Sequence, residues 1–311
     1  CSSDLSDSYG VRVSGSRIAG GYIDADANYS NKVQKYIGYL DTWAVVNFLV
    51  TASYDHSACA GNWNEVMWVG GLNSSSALFG AGQRLDSNNE TWVNQASLRA
   101  TKAGQGGSDQ NYAIFTGGID SGDAVSITSN AYKWSTHTNA SGPALGIARA
   151  VGAGGMCKNG IAVISGGYDA AGNTLNTNDQ FTLAATTSRY GYGSNLATAR
   201  YGCAGSGTAA RGGVAAGVNS AGTWLNSVER YLYSNRTVSS SNVLGYSPVL
   251  FSATAYRGFA VYCGGLNSSF VQVSTTKKYD LDNNVSYAAT ALDYACNDAT
   301  GAGACEGSAI A

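Results

Sequence analysis

Charge, proline, methionine and histidine are all scarce in this chain of 311 residues. Only 12% of residues are Asp, Glu, Lys or Arg, about half the usual quarter. The surface is therefore polar but largely uncharged. The net charge of -2 excludes a chain-wide nucleic-acid binder or polybasic membrane binder. No apolar run approaches the roughly 20 residues of a membrane helix. The most apolar stretch, Trp43 to Ala52, is interrupted by Asn47. Low hydrophobicity with strong charge imbalance, the mark of disorder, is missing as well. At 44% hydrophobic residues the chain can build a core.

Catalytic and cofactor signatures are also lacking. The seven cysteines contain no Cys-x-x-Cys pair, which argues against a zinc site. No Gly-x-Ser-x-Gly elbow sits at a strand-helix turn, and no phosphate-binding loop is present. Gly-rich strings such as Gly152-Ala-Gly-Gly155 have no helix after them and read as turns. The expectation is no cofactor, no metal and no enzyme.

What is present is periodicity. An apolar run ending in Gly-Gly occurs at Arg17 to Gly21, Met67 to Gly71, Ala113 to Gly118, Ala162 to Gly167 and Ala260 to Gly265. A degenerate copy runs from Gly213 to Gly217. The second glycines lie at 21, 71, 118, 167, 217 and 265, in steps of 50, 47, 49, 50 and 48. Two residues later stands Asn73, Asp120, Asp169, Asn219 or Asn267, suited to an Asx turn. In the first copy Asp24 is one residue late. Fourteen residues after the glycine stands Tyr132, Phe181, Tyr231 or Tyr279, with Leu85 in the second copy and Tyr36 one residue late in the first. Ahead of the glycines comes a Leu-x-x-Ala-Arg segment, as in Leu196 to Arg200, with relatives at Leu49, Leu98 and Leu145.

Each unit reads as four short strands separated by Gly, Asn, Asp and Ser clusters. In the fifth unit these are Ala199 to Ser206, the apolar run, Ser227 to Tyr233 and Thr237 to Val243. No window carries a capped helical stripe. Gly-Gly is expected where strands converge on an axis and where a turn demands positive φ.

Four-stranded units of about 50 residues, with Gly-Gly ending the second strand and an aromatic further on, resemble the kelch repeat. The family's later Trp is matched by Trp43 and Trp92 but not in the last three copies. The wording of the repeat is most similar to divergent arrays of bacterial surface proteins and phage tail proteins. The resemblance implies an all-β propeller spanning residues 1–311 as one domain, with six four-stranded blades, or alternatively seven. Residues 291–311 look like the first two strands of a further unit and are expected to close the ring. The first unit is compressed, so its outer strands are expected to need that segment.

In a propeller, Lys102, Arg149 and Arg200 would stand near one mouth of the central channel, with Tyr54 and Tyr201 beside them. They are candidates for binding an anionic sugar or a partner carboxylate. The alternative is that each cation merely orders its loop. Tyr190, Tyr192 and Trp224 lie among small polar residues, a setting that suits carbohydrate stacking or a wet protein contact. Cys296 and Cys305 are a candidate disulfide across a hairpin, and Cys157 with Cys203 a second. Cys263 is expected in the core. Cys1, followed by small polar residues, has the form of a lipidation site. His56, near Tyr54 and Cys59, invites comparison with a copper radical oxidase, but His137 falls in an outer-strand region far from any pore.

The function expected is a non-catalytic structural or binding propeller of an extracellular assembly or virion, such as a phage tail, appendage or adhesin-like component. Its partners would be other protein subunits and surface glycans. One alternative is a carbohydrate-binding surface lipoprotein. Another is a kelch-type sugar enzyme, a mutarotase or oxidase.

Overall fold

The computed structural model describes residues 17–302 apart from positions 20–21, 24–27, 30, 38–39, 55–57, 63, 74, 87–88, 96–97, 99, 159, 185–187, 193, 209, 257 and 297–299. Among the described residues every helix or strand assigned is a strand. The all-β expectation therefore holds. The reason is local: Gly, Asn and Ser break the chain every few residues, and the strands between them are short runs, continuously buried in the second strands and mixed in exposure in the third and fourth.

Five sheets are each an antiparallel meander of four strands, consecutive in the chain except where the two-residue strand Leu72–Asn73 intervenes and pairs with Ser53–Tyr54. We number them from 2 to 6. Sheet 2 spans residues 58–95, sheet 3 spans 105–141, sheet 4 spans 153–192, sheet 5 spans 204–243 and sheet 6 spans 252–289. Sheet 1 is composite. Its edge strand Thr300–Ala302 pairs with Arg17–Ala19, which pairs with Lys32–Ile37, which pairs with Thr42–Phe48. Among the described residues the first unit contributes three strands to this sheet, and Thr300–Ala302 supplies the inner one, whereas the expectation placed the help at its outer strands. Within the sheets, the third and fourth strands expected in the fifth unit appear as Ser227–Leu232 and Thr237–Val243.

The first strands of neighbouring sheets lie side by side with almost no room between them. A Cβ on Gly154 would sit 2.5 Å from the Gly106 carbonyl oxygen, and one on Gly205 would sit 2.2 Å from the Gly154 oxygen. This crowding explains why first strands read Gln105-Gly-Gly-Ser108 and Ala204-Gly-Ser-Gly207. It also corrects the reading of Gly152 to Gly155 as a turn: residues 153–158 form the first strand of sheet 4. Thr300–Ala302 lies next to the first strands of both sheet 6 and sheet 2.

Between sheets, the third-strand aromatics form the core. Tyr36, Leu85, Tyr132, Phe181, Tyr231 and Tyr279 are all buried, as the period implies. Each contributes about 1.5–3 kcal/mol by leaving water. The core is divided into layers by the sheets. Val228, Tyr262, Tyr279 and Leu281, for example, share one cluster between sheets 5 and 6.

Antiparallel meanders put two kinds of connection at each end. One end carries the links from first to second and from third to fourth strands. The other carries the Gly-Gly turns together with the returns to the next sheet. At that Gly-Gly end, Gly118 has φ +86, and a Cβ would lie 2.6 Å from the Lys102 oxygen. Its N–H donates to the Arg149 carbonyl at 2.8 Å. Gly-Gly is thus required by positive φ and by the returning chain crossing over it. The crowding on the axis belongs to other glycines.

Candidate binding surface

The Gly-Gly end is held by three repeated devices. In the first, the backbone N–H groups of Leu49, Leu98, Leu145, Leu196, Leu244 and Leu292 donate to carbonyls just ahead of a third strand. Leu244 and Leu292 complete a series of which the sequence pattern showed four. In the second, the second glycine of each pair donates to the return: Gly71 to Thr101, Gly118 to Arg149, Gly167 to Arg200, Gly217 to Pro248 and Gly265 to Cys296. The third is the Asx turn. Oδ1 of Asn73, Asp120, Asp169, Asn219 and Asn267 each accepts from the backbone N–H groups two and four residues on. The Asx reading is therefore correct, and these side chains are occupied in shaping loops. The hydrogen bonds from Asn173 hold the Asp169 carboxyl below its usual range.

The proposed cation cluster dissolves. The glycine contacts align Arg149 and Arg200 with Ser53 and Thr101, whereas Lys102 aligns with Tyr54, Ala150 and Tyr201. Arg149 and Arg200 are fully buried. Arg149 donates to the Gly166 and Thr177 carbonyls, the Thr177 hydroxyl and Asp179 Oδ2 at 2.7 Å. Arg200 donates to the Ala216 and Ser227 carbonyls, the Ser227 hydroxyl and Glu229 Oε1 at 2.5 Å. Each acid also accepts backbone N–H groups of its loop: Gly146 on Asp179, and Ala197 and Thr198 on Glu229. These are buried, multiply hydrogen-bonded ion pairs that lock the return to its sheet. They offer nothing to a ligand. Lys102 is partly exposed, 3.8 Å from Asp123. Tyr201 packs edge-on against Tyr168 at 6.1 Å. Tyr54 lies in a short strand, and its side chain is outside the description.

The cysteine expectations also change. Cys203, Cys263 and Cys296 are buried thiols, so neither the Cys296–Cys305 nor the Cys157–Cys203 bridge exists. Cys296 instead packs in an apolar cluster with Tyr36, Trp43, Val261, Cys263 and Leu292. Cys157 is disulfide-bonded. Burial pushes the Cys203 thiol up to about 11 and raises Cys263 strongly, which makes both poor nucleophiles at neutral pH. Cys1, Cys305 and His56 fall outside the described residues. His137 lies at the end opposite Gly-Gly, its Nε2 3.0 Å from Glu65 Oε1, which Arg84 also contacts. Among the described residues no group of three His, Cys, Asp or Glu could hold a metal ion. No described helix is long and apolar enough to cross a membrane.

What the Gly-Gly end does expose is a row of loop tips. Residues 75–77, 121–124, 170–173, 220–223 and 268–271 are all exposed. At the tip position with positive φ stand Ser76, Asp123, Gly172, Gly222 and Phe270. Phe270, at φ 58 and 73% exposed, meets the Trp224 ring edge-on at 5.6 Å. Trp224 was legible as a surface aromatic in polar context. Phe270 was missed, because a turn position that favours Gly gives no warning of an aromatic. The side chains of Tyr190 and Tyr192 lie outside the description.

The fold is that of a β-propeller. The solved structure of YjhT matches with a TM-score of 0.69 over 88% of this chain and 97% of that one, at 11% identity. At that identity the likeness speaks for the fold alone. No family model matches the chain, and no curated protein matches it.

Proposed function

We propose that this protein is a non-catalytic binding and structural propeller of kelch type, one subunit of an extracellular assembly or virion. The observation that carries this reading is the disposition of the charges at the Gly-Gly end. Arg149 and Arg200 are consumed by Asp179 and Glu229 inside the fold, while the loop tips around them are exposed and mostly uncharged. Gly106, Gly154 and Gly205 pack the main chains of neighbouring first strands against one another, and this reading places no ligand on the axis. Binding then falls to the rim and the outer strands.

In this reading sheet 1 serves as a sixth blade, and Thr300–Ala302 closes the ring. The position of that strand between the first strands of sheets 6 and 2 supports closure. Ring closure protects the inner edges and leaves the outer strands as the open ones. The outer strand of sheet 5 exposes Ser239, Ser240, Asn242 and Val243. That of sheet 6 exposes Val285 and Tyr287. Asn242 donates to Asn284 across the two sheets, at 3.0 Å from its backbone N–H and 2.7 Å from its side chain. The two strands thus present one continuous uncharged face. Such contacts are wet and individually weak, and repetition supplies avidity. Ser239→Lys together with Val243→Lys tests the face. Loss of association in sedimentation, with the melting temperature unchanged, supports it. Unchanged association removes these strands from the interface.

A further inference from the structure

The tip of sheet 6 breaks the rule its neighbours follow. At the left-handed position of the Asx loop, the units of sheets 2 to 5 place Ser76, Asp123, Gly172 and Gly222. All are small or polar residues, and Gly or Asp tolerates that backbone well. Here a bulky aromatic occupies it. Strain of this kind persists where the surroundings enforce it, and it concentrates at ligand-binding positions. Enforcement is visible: Asn267 Oδ1 accepts from the Ser269 and Val271 N–H groups, and the Phe270 N–H donates to the Asn267 carbonyl at 2.8 Å.

The neighbourhood narrows the ligand. Trp224 comes from the next loop and sets its ring edge-on to Phe270 at 5.6 Å. Val271 beside it is 53% exposed. The exposed residues around them include Thr223, Ser268 and Ser269. Across segments 218–226, 242–251 and 266–275, which build this sector, there is no Asp, Glu, Lys, Arg or His. The segments themselves offer a charged ligand no counter-charge, the Lys277 ammonium lying beside Gly245 from a neighbouring strand, and a purely apolar ligand would strand the hydroxyls around the rings. A neutral sugar matches both features: its C–H face covers an aromatic ring, and its hydroxyls meet Ser and Thr.

We infer that Trp224 and Phe270 form a platform for a neutral carbohydrate on the rim of the Gly-Gly end. This rests on the reading of the protein as a binding module and names the ligand class for one of its surfaces. The full chain is tested against an immobilised panel of neutral glucans, mannans and galactans beside matched uronic-acid and sialylated glycans, with Trp fluorescence titration of any hit. Binding to a neutral member, weakened about tenfold by Phe270→Ala and by Trp224→Ala, is the expected result. Phe270→Gly gives the same loss with the fold relieved of its strain, which separates binding from folding. No binding to any neutral glycan overturns the inference, as does equal preference for acidic ones or binding indifferent to both substitutions. Failure here with association intact leaves the assembly reading standing. Loss of association in Phe270→Ala without any sugar binding makes the platform a protein contact and overturns the sugar assignment.

Discussion

Arg200 and Glu229 form a fully buried ion pair, with Nη2 and Oε1 2.5 Å apart. Arg149 and Asp179 repeat it one sheet earlier at 2.7 Å. In sheet 2 the same two positions hold Ser53 and Gln83, whose side chains stand 3.4 Å apart. The fold therefore contains a charged and a neutral version of one joint. Removing one partner of a buried pair leaves an uncompensated charge, at a cost of about 3–5 kcal/mol. Arg200→Ser alone should lose that much in urea unfolding. Arg200→Ser with Glu229→Gln should lose less than the sum of the two single changes by about 1–3 kcal/mol. Strict additivity would show that the pair is not coupled.

Crowding of the first strands gives a second prediction. Gly205→Ala drives a Cβ to 2.2 Å from the Gly154 carbonyl oxygen, where only backbone movement can yield. It should cost about 3 kcal/mol or more. Gly222→Ala, at φ +77 with nothing within 4 Å, meets backbone strain alone. That amounts to about 1–2 kcal/mol. Equal losses in thermal melts would contradict the tight packing of the inner strands.

Phe270 and Phe181 should part company. Phe181 is fully buried, and its replacement by Ala should cost about 3–5 kcal/mol. Phe270→Gly relieves a left-handed Phe, loses the Trp224 contact and loosens the unfolded chain. These effects oppose one another, so stability should change by less than about 1 kcal/mol. A large loss would make Phe270 a structural residue.

Alkali should weaken the fold in a defined window. Burial pushes Cys203 up from 9.0 to about 11 and Tyr231 from 10.0 to about 12. Both are acids whose neutral form the folded state favours. Their contribution is complete below the unfolded values and is lost as pH rises through the folded ones. Unfolding free energy measured by denaturant titration should therefore decline from about pH 9 to 12. At pH 8, peptide mapping after alkylation without reductant should find Cys203, Cys263 and Cys296 unmodified in native protein and modified after denaturation. Native labelling of Cys203 would place it outside the core.

The sequence made the periodic parts legible because their cause is local. Gly-Gly, the Asx residue and the buried aromatic each answer to a turn or a strand face, and each recurs in phase. The ion pairs were illegible for two reasons. Lys102 was aligned with Arg149, yet it stands in register with Ala150. The acids lie about thirty positions from their arginines, and the equivalent positions hold Gln34, Gln83, Asn130 and Lys277. One signal was available. Each of these polar residues stands two before a buried aromatic or Leu, hence on the same strand face, where burial demands a partner. The compressed first unit and the partial unit at 291–311 pointed to a sheet shared by distant parts of the chain, but not to the strand supplied: Thr300–Ala302 pairs with Arg17–Ala19, on the inner side, where help to the outer strands was expected.

Light scattering on the native protein over a wide concentration range tests the central proposal most directly. With net charge near zero and few repulsive side chains, self-association is weakly opposed. The account predicts particles of several chains whose mass rises with concentration. A particle of constant mass equal to one chain, at every concentration, would contradict it.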